Sequence, residues 1–387
     1  MEIQKQKVLE NYSFRRLSPF IKWAGGKEAE LQHILPNIPD EYNRYFEPFV
    51  GAGAVYFSMD SDEKYINDKS TELIQLYKFV KENNENFFSY IQIIYEGFSK
   101  SAIIIDRYKQ LLINIYNDFR NCNIGEDELV LWISDFVDLN IHEVIEQWNK
   151  ILMVNKNNYL SELNRNFVSK IIRMKKIEAQ KKSLNEKDII SNIESAVKSA
   201  YYMYIRHLYN NSDSYSLGLE FSSAIFYFIR EYCYASMFRY NSCGEFNVPY
   251  GGISYNNKNF KRKIDYISSI ELNNFLQNTY ISNLDFEEFL DKFAPSEDDF
   301  IFLDPPYDSD FSTYTQNSFG KKEQERLADY LINKCRAKFM LVIKNTDFIF
   351  SLYSEKGLNI ISFDKKYLVS FQNRNTKKAK HLMITNY

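Results

Sequence analysis

The spacing of apolar residues changes character twice along the 387-residue chain. From about residue 19 to 79, short apolar runs are separated by glycine-containing turns, as in alternating strand–helix units. Residues 44–50 predict a strand, with Gly51-Ala52-Gly53 as its turn into a helix. Tyr65-Ile66 predicts a second short strand that ends at Asn67-Asp68. Ser70 then reads as the N-cap of a helix to about Lys81, because Leu73, Ile74, Tyr77 and Val80 share one helical face. From Asn84 to about Ser236 the pattern is helical throughout, with Ile103-Ile104-Ile105, Leu111-Leu112-Ile113, Val144-Ile145 and Ile189-Ile190 returning among charges. Strand-and-turn chemistry resumes at Phe238. Tyr280-Ile281-Ser282 and residues 300–303, 339–343, 358–363 and 382–385 predict strands, and residues 321–334 and 347–354 predict helices between some of them. The expected fold class is therefore α/β. A discontinuous α/β domain, residues 1–83 with 279–387, is interrupted by a mostly helical insertion, 84–278.

Composition narrows the classes. Fractions of 45% hydrophobic and 17% aromatic residues exclude disorder, and the absence of a long uncharged apolar run excludes a membrane-spanning helix. Residues 1–16 are polar and mixed in charge, so no secretory signal is expected there. Cys122, Cys233, Cys243 and Cys335 lack metal-type pairing and the four His are scattered, so neither structural zinc nor a disulfide framework is expected, and a reducing cytoplasm is the expected compartment. Net charge is -3, which argues against bulk affinity for nucleic acid; binding it would require basic residues gathered on one face. Two stretches are candidates. Residues 170–187, with Lys175-Lys176 and Lys181-Lys182, read either as a solvated helix face or as a phosphate-contacting edge. Lys261, Arg262 and Lys263 form a second, shorter cluster.

The most specific chemistry is Asp304-Pro305-Pro306-Tyr307, directly after the apolar run Phe300 to Leu303. Proline has no N–H with which to continue a sheet, so the strand must stop there. What remains at its carboxyl end is a rigid ledge with a carboxylate, carbonyls and a flat ring, and in open α/β sheets that edge binds ligands. Such a ledge suits a planar base with an exocyclic amine: Asp304 and the Pro305 carbonyl accept its two N–H bonds while Tyr307 stacks on its face. Glu47-Pro48-Phe49-Val50-Gly51-Ala52-Gly53 reads as a turn over which a ligand can approach the backbone closely, or as an ordinary tight turn. Asp68 follows the next strand, where an acid accepts bonds from ribose hydroxyls or simply marks a helix start. Ahead of both, Trp23 beside Gly25-Gly26 reads as core or as the wall of a nucleoside pocket, with Lys27 pairing with a carboxylate.

In order, K-W-A-G-G-K, E-P-F-V-G-A-G, N-D and D-P-P-Y resemble the Dam-like, alpha-group DNA adenine-N6 methyltransferases. Residues 238–251 are similar to that family's R-Y-N-x-x-G-x-F-N-x-P-x-G element, and residues 370–387 to its closing segment. The resemblance covers about the first eighty residues and everything after about Phe221. It departs in the middle, where about a hundred extra helical residues intervene, and at Ser282-Asn283-Leu284-Asp285-Phe286, which stands for the family's H-x-x-D-F. It implies a Rossmann-like sheet that uses S-adenosylmethionine as methyl donor, leaving S-adenosylhomocysteine, with no metal. By matching position, Trp23 and Lys27 border the methionyl end, Asp68 holds the ribose, residues 49–53 (Phe49, Gly51 and Gly53 above all) underlie the nucleoside, and Asp285 and Phe286 lie near the adenine.

The implied substrate is double-stranded DNA with its adenine flipped out, at a cost of a few kcal/mol. The 238–252 hairpin would sit in a groove: Arg239 suits a phosphate or guanine, Asn241 and Asn247 suit adenine edges, and Pro249, Lys261 and Arg262 complete the DNA-facing set. The insertion is expected to enlarge target recognition or to bind a protein. A restriction endonuclease acting on the same site is a further implied partner, no membrane is, and a monomer is compatible with the chain. Competing readings are methylation of RNA adenine, of a cytosine amine (a tetrapeptide more often beginning with Ser) or of a protein glutamine amide (beginning with Asn), and a non-catalytic DNA-binding relic. Asp304 opposes the cytosine and glutamine readings, and its survival together with Trp23, Lys27 and Asp68 opposes the relic.

Overall fold

A computed structural model describes residues 17–23, 25–180, 183–307, 319–366 and 378–387. The features read at residues 1–16, Ala24, Lys181-Lys182 and 370–377 lie outside the described residues. Two compact units emerge, residues 1–82 with 267–387 and residues 83–266.

Within the first unit, seven described strands form one sheet: β1 (Arg44–Glu47), β2 (Glu63–Asn67), β3 (Thr279–Ser282), β4 (Phe300–Leu303), β5 (Lys338–Lys344), β6 (Asn359–Lys366) and β7 (Lys378–Thr385). Their order is β3-β2-β1-β4-β5-β7-β6. The first five strands are parallel, and β7 runs antiparallel between β5 and β6. The chain works outward from β1 to β3 on one side and from β4 to β5 on the other. The carboxyl ends of β1 and β4 therefore flank the crevice where such sheets bind ligands.

All four residues of β4 and the five central residues of β5 are buried. Strands covered on both faces read as unbroken apolar runs, which is why these two were legible. β1 ends at Glu47, three residues short of the predicted 44–50, because Pro48 cannot donate to the ladder although Phe49 and Val50 prolong the apolar pattern. At the opposite end, Arg44 grips Asp299 through Nε (3.1 Å) and Nη2 (2.6 Å), fastening β1 beside β4. Burial alone would raise the Asp299 carboxyl, but Arg44 and the Ser296 N–H hold it below its usual range.

Helix Thr71–Lys81 begins as predicted, with Ser70 Oγ accepting from the Leu73 N–H at 3.3 Å. Helix Ile270–Gln277 belongs to this unit, although the pattern placed residues up to 278 in the insertion. It buries Leu272 and Leu276, and Asn273 and Gln277 donate to the Lys81 carbonyl at 2.9 and 3.1 Å.

The second unit is helical, its longest helices being Lys156–Gln180 and Glu186–Asn210. Tyrosines fill much of its core. Tyr201, Tyr202 and Tyr204 are fully buried, and their hydroxyls donate to the carbonyls of Ile94, Val248 and Leu152 at 2.7–2.9 Å. A buried phenol needs such a partner.

Candidate active site

The turn after β1 approaches its neighbours too closely for side chains. Gly51 and Gly53 have φ of +49° and +78°, a region that glycine enters without steric cost. A Cβ on Gly53 would lie 2.7 Å from Tyr77 Oη, and one on Gly51 would lie 3.0 Å from Trp23 Cδ1. Trp23 thus lies against the turn, half-buried. Beyond β2, Asp68 Oδ2 accepts from the Gly51 N–H (3.0 Å) and Oδ1 from the Ser70 N–H (2.9 Å). Enclosure raises the Asp68 carboxyl, and these N–H donors oppose that shift only in part. Asn67 links three loops: its Nδ2 donates to the Pro48 (3.1 Å) and Leu284 (3.0 Å) carbonyls, and its Oδ1 accepts from the Leu284 N–H (2.8 Å).

After β3, Asp285 caps helix Phe286–Phe293, accepting from the Glu287 N–H at 3.1 Å, and pairs with Arg326 at 2.7 Å. The Arg326 guanidinium lies 4.5 Å above the Phe286 ring. Phe286, Phe49 and Phe319 meet with ring centroids 5.4–6.0 Å apart. Phe49 and Phe286, predicted as neighbours of one ligand, are neighbours of each other.

The ledge follows β4. Asp304 forms an ion pair with Lys27, whose side chain is almost wholly buried. Lys27 Nζ also donates to the Tyr307 hydroxyl and the Gly25 carbonyl, each at 3.3 Å. The predicted carboxylate partner of Lys27 is thus Asp304. Tyr307 Oη lies 3.1 Å from Nε2 of the fully buried His381 on β7. Buried Gln324 donates to the Pro306 carbonyl at 2.8 Å. Glu47, at the end of β1, is buried and accepts from Tyr45 Oη at 2.6 Å. Burial drives its carboxyl well above the usual range, the Asp304 charge adding to the effect and Tyr45 and Lys27 opposing it.

Four parallel strands therefore deliver their following loops, carrying Phe49, Gly51, Gly53, Asp68, Asp285, Phe286, Asp304, Pro305 and Tyr307, to one sheet edge, where Trp23 and Lys27 join them from the segment before β1. Glu47, Asn67, Gln324, Arg326 and His381 were not singled out individually from the sequence. Glu47, Asn67 and His381 stood in segments that carried the resemblance, whereas nothing local distinguishes Gln324 and Arg326.

The remaining predicted residues lie in the second unit. The 238–252 segment closes on itself in a tight bend through a bridge between Tyr240 and Phe246, and a second bridge joins Tyr250 to Cys233, rather than forming an extended ladder. Arg239 Nε donates to Asn247 Oδ1 at 2.8 Å. Asn241 Oδ1 accepts from the Cys243 (3.0 Å) and Glu245 (2.9 Å) N–H groups, while its Nδ2 donates to Glu245 Oε2 (2.7 Å). These side chains thus build the bend itself. Pro249 is exposed, and its carbonyl accepts from the Tyr234 N–H at 2.8 Å. On helix Phe260–Ile267, Lys261 pairs with Asp265 at 3.0 Å, and Arg262 is exposed. In the basic stretch, Lys175 turns inward to the Phe119 carbonyl (2.6 Å), while Arg173 and Lys176 line an open groove with Val130, Val168 and Ile172.

The family described as D12 class N6 adenine-specific DNA methyltransferase matches this chain over residues 23–177 and 142–369. The chain belongs to that family. This adenine-specific DNA methyltransferase is similar to the type II methyltransferase M.CviBI of Paramecium bursaria Chlorella virus NC1A, with 26% identity over 96% of this chain and 100% of that protein. It is also similar to the type II methyltransferase M1.LlaDCHI of Lactococcus lactis subsp. cremoris, with 24% identity over 100% of this chain and 98% of the relative. The DNA adenine methylase of Escherichia coli K12 is 21% identical over 85% of the methyltransferase. No described helix is long and apolar enough to cross a membrane.

Proposed function

We propose that this methyltransferase moves the methyl group of S-adenosylmethionine to N6 of an adenine flipped out of double-stranded DNA, at the ledge Asp304-Pro305-Pro306-Tyr307. The observation that carries the reading is the buried Lys27 holding Asp304 at the carboxyl end of β4, beside the glycine turn after β1. The turn fits the donor: its glycines let Trp23 and Tyr77 pack directly against the backbone, and Asp68 stands at the next strand end, holding the Gly51 N–H.

Residues 49–53 and Trp23 are assigned to the nucleoside, Asp68 to the ribose, and Phe286, backed by Arg326 and Asp285, to the adenine side. When bound, S-adenosylmethionine supplies an electrophilic sulfonium methyl. The protein's part is to make the amine a better nucleophile and to aim it. An exocyclic amine donates poorly because its lone pair is delocalised into the ring. With the Pro306 carbonyl committed to Gln324, Asp304 and the Pro305 carbonyl are the acceptors assigned to the two N–H bonds, favouring a pyramidal nitrogen. Tyr307, steadied by Lys27 and His381, stacks on the base. Positioning and fixed charge supply the acceleration.

The hairpin carrying Arg239, Asn241, Asn247 and Pro249, with Lys261 and Arg262 beyond it, is assigned to the DNA. Its internal bonds between Arg239 and Asn247 would exchange for phosphate or base contacts. The two relatives named type II methyltransferases favour a restriction–modification setting, with an endonuclease acting on the same site as functional partner.

The test is labelling with radioactive S-adenosylmethionine. Duplex DNA is expected to gain label at adenine N6, and Asp304→Ala to abolish it while leaving the circular dichroism spectrum unchanged. Label on cytosine, or undiminished label with the Asp304→Ala variant, would defeat the assignment.

A further inference from the structure

The inserted helix Glu186–Asn210 presents a row of polar side chains at four-residue spacing to the segment after the bend. Asn210 makes both amide bonds to one residue, its Nδ2 donating to the Phe246 carbonyl (3.0 Å) and its Oδ1 accepting from the Phe246 N–H (2.9 Å). Arg206 Nη1 (3.1 Å) and Tyr202 Oη (2.9 Å) both donate to the Val248 carbonyl. One step further back, Lys198 Nζ donates to the Asn256 carbonyl at 2.6 Å.

The spacing has a geometric reason. Four helical residues advance about 6 Å, and two extended residues about 6.6 Å. Asn210 and Arg206, four apart on the helix, can therefore meet Phe246 and Val248, two apart on a segment running the opposite way, while Tyr202 adds a second bond to the Val248 carbonyl. Phe246, Val248 and Tyr250 are buried, while Asn247 is half-exposed and Pro249 exposed. The helix thus grips Phe246 and Val248 and leaves Asn247 and Pro249 the more exposed.

The start of the segment is held separately. Fully buried Arg230 donates to the Ser236 (3.1 Å) and Met237 (2.9 Å) carbonyls and stacks on the Phe238 ring. Ala235 and Ser236 have φ of +51° and +53°, a conformation costly for residues with a Cβ. A bend of this kind persists only where its surroundings enforce it.

We propose that Tyr202, Arg206 and Asn210 form a backbone ladder that fixes the register of the DNA-reading segment, making the inserted helix a positioning element for target choice. This rests on the reading that the hairpin contacts DNA. A one-residue slip would turn Phe246 and Val248 outward and Asn247 inward, exchanging the side chains offered to a groove. None of the three ladder residues needs to touch DNA to affect which sequence is methylated.

The experiment compares the wild-type chain with Tyr202→Phe, Arg206→Met combined with Asn210→Ala, and Arg239→Ala. Methylated positions are mapped by sequencing, and kcat and KM are then measured on duplexes carrying the mapped site or single-base changes of it. The ladder double variant is expected to lose about tenfold of its discrimination between those duplexes, through a higher KM for DNA. Its kcat on the mapped site should remain within about twofold, and hydrogen exchange should quicken at residues 246–250. Tyr202→Phe, which removes only a hydroxyl, should show the same change in smaller measure. Unchanged discrimination in the double variant, with DNA affinity lost in Arg239→Ala, overturns the ladder and leaves the hairpin's role standing. Unchanged affinity in Arg239→Ala overturns both. Should the double variant lose its helical circular dichroism, Tyr202→Phe decides, and no loss of discrimination there overturns the proposal.

Discussion

Lys27 and Asp304 neutralise one another in a place where either charge alone would be costly. An isolated buried ion pays a large desolvation penalty, and breaking such a pair leaves the survivor uncompensated. Glu47 lies within the influence of both groups, and its neutral form is favoured by burial and by the Asp304 charge. This makes its contribution to stability pH-dependent with a definite sign. Because the folded-state pKa is raised, the folded chain binds the extra proton, so the contribution is present below the ordinary glutamate value of about 4.3 and is lost as pH climbs through the raised value. Glu47→Gln removes that titration. Its melting temperature relative to wild type is expected to improve steadily from pH 5 to pH 9 in differential scanning calorimetry. A difference that stays constant, or worsens with pH, would show that Glu47 is ionised in the folded protein.

At the scale of elements, the site is a set of strand ends followed by caps. Asp285 both caps helix Phe286–Phe293 and anchors Arg326 across the loops, so its two roles can be separated. Asp285→Asn keeps an oxygen for the Glu287 N–H and loses the charge, whereas Asp285→Ala loses both. Urea unfolding should find Asp285→Ala destabilised by about 1–2 kcal/mol, within the usual range for a lost cap, and Asp285→Asn by clearly less. Equal losses would place the stabilisation in the ion pair instead. The sheet was legible because β4 and β5 are buried on both faces, leaving runs of apolar residues with sharp ends. β1 was overread because Phe49 and Val50 continue the apolar run past Pro48, where the regular ladder breaks and only the Val50 N–H still reaches β2, at the Asn67 carbonyl. Acids at strand ends were legible as short motifs. Tyr307 with His381, Gln324 with Pro306, and the ladder on helix Glu186–Asn210 were not. Each joins residues distant in sequence, and each takes its geometry from packing that local periodicity does not encode. Asn241 and Asn247 looked like readers of bases, yet their amides are first of all the bonds that shape the bend.

At the scale of the whole molecule, the sheet unit has an apolar core running from Phe46 and Ile301 to Leu341 and Ile384, and the described members of that cluster all belong to the sheet unit itself. Replacing residues 83–266 with a short glycine–serine linker is therefore expected to leave a folded protein that binds S-adenosylmethionine, measured by calorimetry, but no longer methylates DNA. Loss of cofactor binding on that replacement would show that the sheet unit depends on the insertion. The stem explains why the cut should be tolerated: Asn273 and Gln277 fasten helix Ile270–Gln277 to the end of helix Thr71–Lys81, on the sheet side of the junction. A loop whose two ends are tied together at its base can change in length and content while the scaffold closes on itself as before. If the insertion chooses the target as proposed, selection can act on where a mark is placed without renegotiating how it is made. On the proposed reading, those two Lys81 contacts make the sheet unit a mount on which recognition units can be exchanged.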